Sequence, residues 1–400
     1  MKNFFKLPVY LVCALGLTFG FVSCDDDDEP ATELGGGQNV INQELKQILT
    51  QYSEKTVVAT YKRLADASLV LEDKCGDLYN KVKSGTAQLS DVQAVCDAWI
   101  ASRKWWERSE AFLLGPANIM GIDPHIDSWP LDKTQLDNLL ASEEIMKDLD
   151  ADYITSNLGA GGLCGFHALE YIIYKDGKAK PVAEIDENLA KYAYAVAGDL
   201  RLQCLRLEAE WNGFDQVSSQ KQQMLEDADA VPDAAFKNNF IYAGQGGSRY
   251  RTQLEALVEA IKSDKGCFGI ASEVGDTKIS DPVKSGNVLD VESWYSFNSK
   301  TDFQDNIRGI QNVIMGGIAE DRDVEHSIYS FLKAKNAKLA EELKTAIEQC
   351  IGEDGKTGLG TIQYPFRDHL GAEENAVAIK SCQDLNKKLE EVATYIQENM

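Results

Sequence analysis

Histidine is scarce in this chain, four residues in 400, and several familiar arrangements of reactive side chains are missing. No C-x-x-C occurs, which removes a zinc ribbon and a thioredoxin-type redox pair. The H-E-x-x-H string of zinc peptidases is absent, as is the G-x-S-x-G elbow of serine hydrolases. Beyond Val22 no apolar run reaches the roughly 20 residues that a membrane-spanning helix requires. Alternating β-branched runs are short, with no hairpin dipeptide such as Asn-Gly between them, so the expected fold class is all-α. Basic residues are outnumbered, 40 against 64 acids, for a formal charge of -24. That balance argues against a nucleic-acid partner, whose binding rests on cationic neutralisation of phosphates, and against adhesion to anionic lipid heads.

What is present begins with the N-terminus. Met1-Lys2-Asn3-Phe4-Phe5-Lys6, an apolar stretch from Leu7 to Val22, and Ser23-Cys24 read as an export signal over residues 1–23. Phe21-Val22-Ser23-Cys24 is similar to a bacterial lipoprotein cleavage box, although Phe21 stands where leucine is usual. Cys24 then becomes the lipidated first residue, and the mature protein is held at the cell envelope, on the periplasmic or surface face of the outer membrane. Residues 24–38, with the acidic run Asp25-Asp26-Asp27-Asp28-Glu29 and Gly35-Gly36-Gly37, cannot build a core and read as a flexible tether. Folded structure is expected from Asn39. Of nine cysteines, Cys13 leaves with the signal and Cys24 is lipidated, so seven remain and at least one stays unbridged. Cys75 and Cys96 flank the turn Lys83-Ser84-Gly85-Thr86, which makes them the first choice for a disulfide; Cys350 with Cys382 is the second.

Apolar residues recur at helical spacing over 44–82, with a break or bend inside that run. A second helix starting at Ser90-Asp91 carries Val92, Val95, Trp99, Trp106 and Leu113 on one stripe, and Arg103 and Glu110 fall on the same stripe. Charge on a buried face is costly unless paired or bound to metal. Glu107 lies one turn before Glu110, so these acids either form structural ion pairs with Arg103 and Arg108 or serve as ligands. Gly115-Pro116 ends the helix, and the stretch to Pro130 reads as a loop dense in potential ligands: Asp123, His125, Asp127 and Trp129. Helices are expected at 136–149, after the glycines at 159–162, and at 185–211. In the second half they are expected at 236–262, 303–317, 324–350 and 375–399, with a polar, Gly-rich connection at 264–293.

The chemistry centres on Gly165-Phe166-His167-Ala168-Leu169-Glu170. On a helix, His167 and Glu170 share a face at i and i+3, and imidazole with carboxylate suits zinc or iron. The same spacing also serves a solvated contact. The second half has no His-x-x-Glu, and His326 and His369 read as surface or packing residues.

These residues resemble the imelysin-like family. Gly165-x-His167-x-x-Glu170 followed by Tyr171 is similar to its G-x-H-x-x-E-Y signature. Arg108-Ser109-Glu110-Ala111-Phe112 with Gly115-Pro116, Ile126-Asp127-Ser128-Trp129-Pro130, and Gly309-Ile310-Gln311-Asn312 before Gly316 extend the likeness over nearly all of the mature chain. The resemblance implies two related helical-bundle lobes, here 39–215 and 216–400, packed around a cleft that the signature faces. It further implies an exported protein linked to iron acquisition, some members having been described as metallopeptidases. By position it makes His167, Glu170 and Glu110 metal ligands and lets Asp127 and Trp129 line the cleft. Arg108 and Ser109 would orient the carboxylates, with Glu107, Gly165 and Tyr171 nearby and Gly309 and Asn312 approaching from the other lobe. The function expected is an iron-linked metal-binding lipoprotein holding a metal ion or iron complex, iron favoured and zinc admissible, that passes its cargo to an envelope transporter. Two alternatives stand beside it: a metal-dependent peptidase, whose general base the sequence does not select among Glu107, Glu110 and Asp127, and a metal-free surface adaptor for glycan or protein.

Overall fold

The computed structural model describes residues 36–158 and 162–400. The expected signal, Cys24 and residues 24–35 of the expected tether lie outside the described residues, while its last three, Gly36-Gly37-Gln38, already belong to the first helix and not to a tether. The architecture is all-α. Its longer helices are α1 (Gly36–Gln51), α2 (Ala59–Lys83), α3 (Leu89–Ser109), α4 (Gly165–Ile173), α5 (Glu187–Asn212), α6 (Gln253–Lys262), α7 (Ser299–Met315), α8 (Ala337–Ile351) and α9 (Glu374–Asn399). No described helix is long and apolar enough to cross a membrane.

The irregularity expected within 44–82 is a π-helical segment, Tyr52–Val58, that joins α1 to α2. Along α2 the buried residues Tyr61, Leu64, Leu71, Cys75 and Leu78 repeat every three, four or seven positions, the stripe of a helix with one face in a core. Each buried leucine contributes roughly 1.5–3 kcal/mol of transfer free energy. This face packs α2 against both α3 and α5, while α4 packs on α5 and α3. In the second half α8 packs on α7 and α9, and α6 lies between α1 and α9. The two halves meet where α3 runs along α7. Gly309 permits that contact, since a Cβ there would come within 2.4 Å of the Arg108 carbonyl oxygen.

The structure departs from the expected elements in several places. The stretch after Gly115 is not plain loop; it holds the short helices Pro116–Ile119 and Asp123–Asp127. The run 236–262 is broken by the glycine-rich turn at 244–247, leaving Asn238–Ile241 and α6. Asn336 divides 324–350 into Ile328–Lys335 and α8, its side chain accepting from the Leu339 N–H of the second helix. The expected connection at 264–293 is largely helical, comprising Cys267–Ser272, a π-helical Glu273–Ile279 and Ser280–Ser285. Its polar composition hid that, because these helices bury only one side. The one described sheet pairs Tyr174–Lys175 with Lys178–Ala179, and its turn is the dipeptide Asp176-Gly177, at φ 51° and 73°.

The seven described cysteines are buried thiols. Cys75 and Cys96 are not bridged; the Cys96 thiol instead points at the Ile173 carbonyl oxygen, 3.5 Å away. Cys350 and Cys382 have their sulfurs 3.7 Å apart on the packed faces of α8 and α9.

Candidate metal centre

The stripe on α3 delivers an arginine to the middle of the molecule. Arg103 is fully buried, and four carboxylates surround it. Its Nη2 lies 2.5 Å from both Glu107 Oε1 and Glu292 Oε1, its Nη1 donates to Asp127 Oδ1, and its Nε is 3.6 Å from Asp302 Oδ2. Lys278, on the π-helical segment, brings a second cation. Its Nζ sits 2.9 Å from Glu110 Oε2, 3.1 Å from Glu292 Oε1 and 3.7 Å from Glu107 Oε2. From α7, the Asn306 side-chain N–H₂ donates to Glu107 Oε2 at 2.6 Å and Glu110 Oε2 at 2.5 Å, so one amide fixes both acids.

His167 meets this cluster from α4. Gly165, at φ +73°, lets the helix start directly against the Asp123–Asp127 helix; an added Cβ would fall 2.2 Å from the Ile126 carbonyl oxygen. That contact brings the His167 Nε2 to 3.0 Å from Asp127 Oδ1 and 3.9 Å from Glu292 Oε1. The approach to Asp127 is short but off the hydrogen-bonding axis, so the buried Nε2 has no hydrogen-bond partner. On the other side of the ring, Nδ1 lies 3.2 Å from Glu170 Oε2. Glu170 Oε1 accepts from the Tyr295 N–H at 3.0 Å and from the Ser296 N–H and hydroxyl at 2.7 Å each. The turn that anchors Glu170 also carries Glu292, so one irregular segment orients both sides of the imidazole.

Five acids, Glu107, Glu110, Asp127, Glu292 and Asp302, thus share a largely buried region with two permanent cations, Arg103 and Lys278. Burial pushes Glu107 and Asp302 well above the ordinary carboxylate range despite Arg103 beside each. Burial likewise raises Glu110 to about 8, with Lys278 opposing. Asp127 goes the other way: burial would raise it, but Arg103 and His167 hold it well below the usual range. For His167, burial and the Arg103 charge favour the neutral ring, yet Asp127 and Glu170 prevail and lift it to about 9. Surplus negative charge in a buried cluster must be neutralised by protons or by a bound cation.

A cavity of about 440 Å³ opens onto the cluster, walled by Glu110, Asp127, Trp129, Lys278 and Glu292 among others. Asp123, Glu273, Asp281 and Asp290 add to its acidic lining, with Lys265 the other cation. Burial and the Asp127 charge raise Asp123 to about 6. His167 is not on this wall; it lies behind Trp129, whose ring centroid is 4.7 Å from the imidazole. The ligand atoms of Asp127, His167 and Glu292 lie within 4.8 Å of one another, as do those of Glu107, Glu110 and Asp127. One imidazole nitrogen facing several carboxylate oxygens is a donor set that fits iron or zinc.

Residues 57–392 match the imelysin family. The chain belongs to the imelysin family. A curated relative, iron-regulated protein A of Synechococcus elongatus, is 25% identical over 337 residues, covering 84% of this chain and 81% of that protein. A crystal structure described as that of an iron-regulated protein A precursor from Parabacteroides distasonis superposes with a TM-score of 0.74 at 27% identity, over 88% of this chain and 95% of that one. An imelysin-like protein from Psychrobacter arcticum shares the fold at a TM-score of 0.56 and 14% identity, over 89% of this chain and 94% of that one.

Of the residues this imelysin's sequence singles out, the structure brings His167, Glu107, Glu110, Asp127 and Trp129 to one place. Glu170 reaches the imidazole but faces the 295–296 backbone, and its carboxylate is not in either ligand group with His167. Glu110 is grouped with Glu107 and Asp127 and not with His167. Arg108 and Ser109 do not orient these acids: Arg108 pairs with Asp305 at 2.9 Å, and the Ser109 hydroxyl donates to the Trp106 carbonyl oxygen at 2.7 Å. Asn306 takes that role. Asn312 accepts from Arg322 at 3.2 Å, and Tyr171 packs on Tyr295, ring centroids 5.2 Å apart. His326 pairs with Asp323 at 3.0 Å, and the His369 ring meets the Pro365 carbonyl oxygen at 2.9 Å, both local contacts. Glu292, Lys278 and Asp302 carry no local signal in the sequence. The first two lie in the polar stretch 264–293, and Asp302 looks like any acid in the first turn of α7.

Proposed function

We propose that this imelysin is an iron-linked metal-binding protein. Its ion would sit behind the wall of the acidic cavity, held by His167 Nε2 with Asp127 and Glu292, and with Glu107 and Glu110 on the far side of Asp127. The observation that carries the reading is the buried imidazole nitrogen without a hydrogen-bond partner, beside carboxylates that outnumber the neighbouring cations. When bound, the metal supplies the positive charge the cluster lacks. Arg103 and Asn306 hold the acids in place, and Glu170 fixes the orientation of the ring. The names of the relatives, iron-regulated proteins, favour iron. An anchor at Cys24 would keep such a protein at the envelope, close to a transporter that accepts its cargo.

Calorimetric titration of metal-free mature protein with ferrous iron, under anaerobic conditions, and with Zn²⁺ tests this. Wild type should bind one ion at this site and His167→Ala should bind it at least tenfold more weakly. Equal affinity in the two proteins would end the proposal.

The peptidase reading draws on one feature, the Glu110 carboxyl held near 8 on the cavity wall, where it could exchange a proton with a metal-bound water. Cleavage of casein or insulin that stops with chelator and with Glu110→Gln would support it. No cleavage by metal-loaded protein would remove it.

A further inference from the structure

Behind the first site lies a second cluster that it does not use. His125 on the Asp123–Asp127 helix, Cys164 at the residue before α4 and Asp199 in the middle of α5 place one ligand atom each within 4.8 Å of one another. Among the described residues no other cysteine belongs to such a group. We propose that His125, Cys164 and Asp199 form a separate binding site for a thiophilic divalent cation, zinc in the first instance.

The chemistry is that of a borderline-soft ion: one imidazole, one thiolate and one carboxylate, with solvent completing a tetrahedron. In a tetrahedral zinc site neighbouring ligand atoms stand roughly 3.3–3.7 Å apart, as the usual bond lengths require. His125 Nδ1 and Asp199 Oδ2 already stand 3.3 Å apart. The carboxylate is held for the purpose. Asp199 Oδ1 accepts from the Thr155 hydroxyl at 2.7 Å and the Gln203 amide at 2.9 Å, which leaves Oδ2 to face His125. Cys164 and Asp199 are buried, while the His125 side chain is 18% exposed and gives the ion a way in. A simple His125–Asp199 ion pair accounts for two of the three residues but leaves the thiol unexplained.

Burial, with Asp199 nearby, raises the Cys164 thiol to about 12, so it stays protonated in the metal-free protein. Binding therefore exchanges that proton for the metal: the S–H bond breaks, the M–S bond forms and the proton leaves to solvent. His125 and Asp127 share one short helix, and Cys164 and His167 flank the start of α4. An ion here would pin together the two pieces that form the first site.

Cobalt(II) reports the thiolate directly, through a sulfur-to-cobalt charge-transfer band in the near ultraviolet. Reduced mature protein titrated with Co²⁺ should develop this band within two equivalents, the first site taking the other ion, and within one equivalent in His167→Ala; Zn²⁺ should bleach it. Cys164→Ala should abolish it and His125→Ala should weaken or abolish it, each variant keeping the wild-type near-ultraviolet circular dichroism. His167→Ala should keep it, because the first site contains no sulfur; loss at one site is thereby distinguished from loss at the other. Folded wild type without the band, a band that survives Cys164→Ala, or a band undiminished in His125→Ala would overturn the assignment.

Discussion

Metal affinity at the first site should depend on pH with a slope that the structure sets. A histidine ligates only when its nitrogen is unprotonated. In the metal-free protein Asp127 and Glu170 lift His167 to about 9, so from roughly pH 6 to pH 8 the ring carries a proton that an incoming ion must displace. Each pH unit then tightens binding about tenfold, or about 1.4 kcal/mol. Over two units that is about 100-fold. Glu110, raised to about 8 by burial, releases a second proton if the ion draws its carboxylate, steepening the slope toward two. Asp127, held low by Arg103 and His167, contributes none. Zn²⁺ calorimetry across this range, repeated in buffers of different ionisation heat, counts the released protons independently of affinity. His167→Ala should lose one unit of slope. Affinity that is flat with pH and releases no proton would refute the reasoning.

The metal-free protein should show the opposite trend in stability. His167 is raised above its ordinary 6.5 to about 9, so its contribution is complete below 6.5 and lost as pH rises through 9. Glu110 is raised from 4.5 to about 8, so the unfolded chain releases this proton first and the contribution, complete below 4.5, is lost as pH rises to 8. Melting temperature should therefore fall from about pH 5 to pH 9, and a rise would contradict it. Gly165→Ala places a side chain at φ +73° and against the Ile126 carbonyl oxygen, and should cost more than the roughly 1–3 kcal/mol of backbone strain alone; an unchanged urea midpoint would exclude this. Glu170→Gln should fold normally yet weaken metal binding by about 10–100-fold through loss of the ring's orientation, and titration at wild-type affinity would deny Glu170 that role. Material from an oxidising compartment should show five free thiols, not seven, after denaturation, because the Cys350 and Cys382 thiols, sulfurs 3.7 Å apart, stand close enough to be oxidised to a disulfide; seven thiols would show that they are not.

The helical periodicity of 44–82, the Trp99–Trp106 stripe and the i,i+3 pair His167/Glu170 are local patterns, and each survives into the fold. Arg103 and Glu110 on an otherwise apolar stripe already signalled buried charge. What could not be read was the partner of each charge. Arg108 lies one residue from Glu107 and two from Glu110 in sequence, yet α3 turns it toward Asp305 on α7. Glu292 is 189 residues from Arg103 and reaches it only because α3 and α7 pack closely and the turn before α7 folds back.

The division follows from the range of the forces. Helix type, the one-face placement of His167 with Glu170 and the surplus of acid are properties of short stretches, decided by backbone periodicity and composition alone. Which oxygen satisfies which proton is decided by close approach between distant helices, at Gly309 and Gly165, where the absence of a side chain lets backbones touch. Tertiary packing therefore made Glu170 the support of the imidazole, and put Asp127 and Glu292 in front of its unpartnered nitrogen.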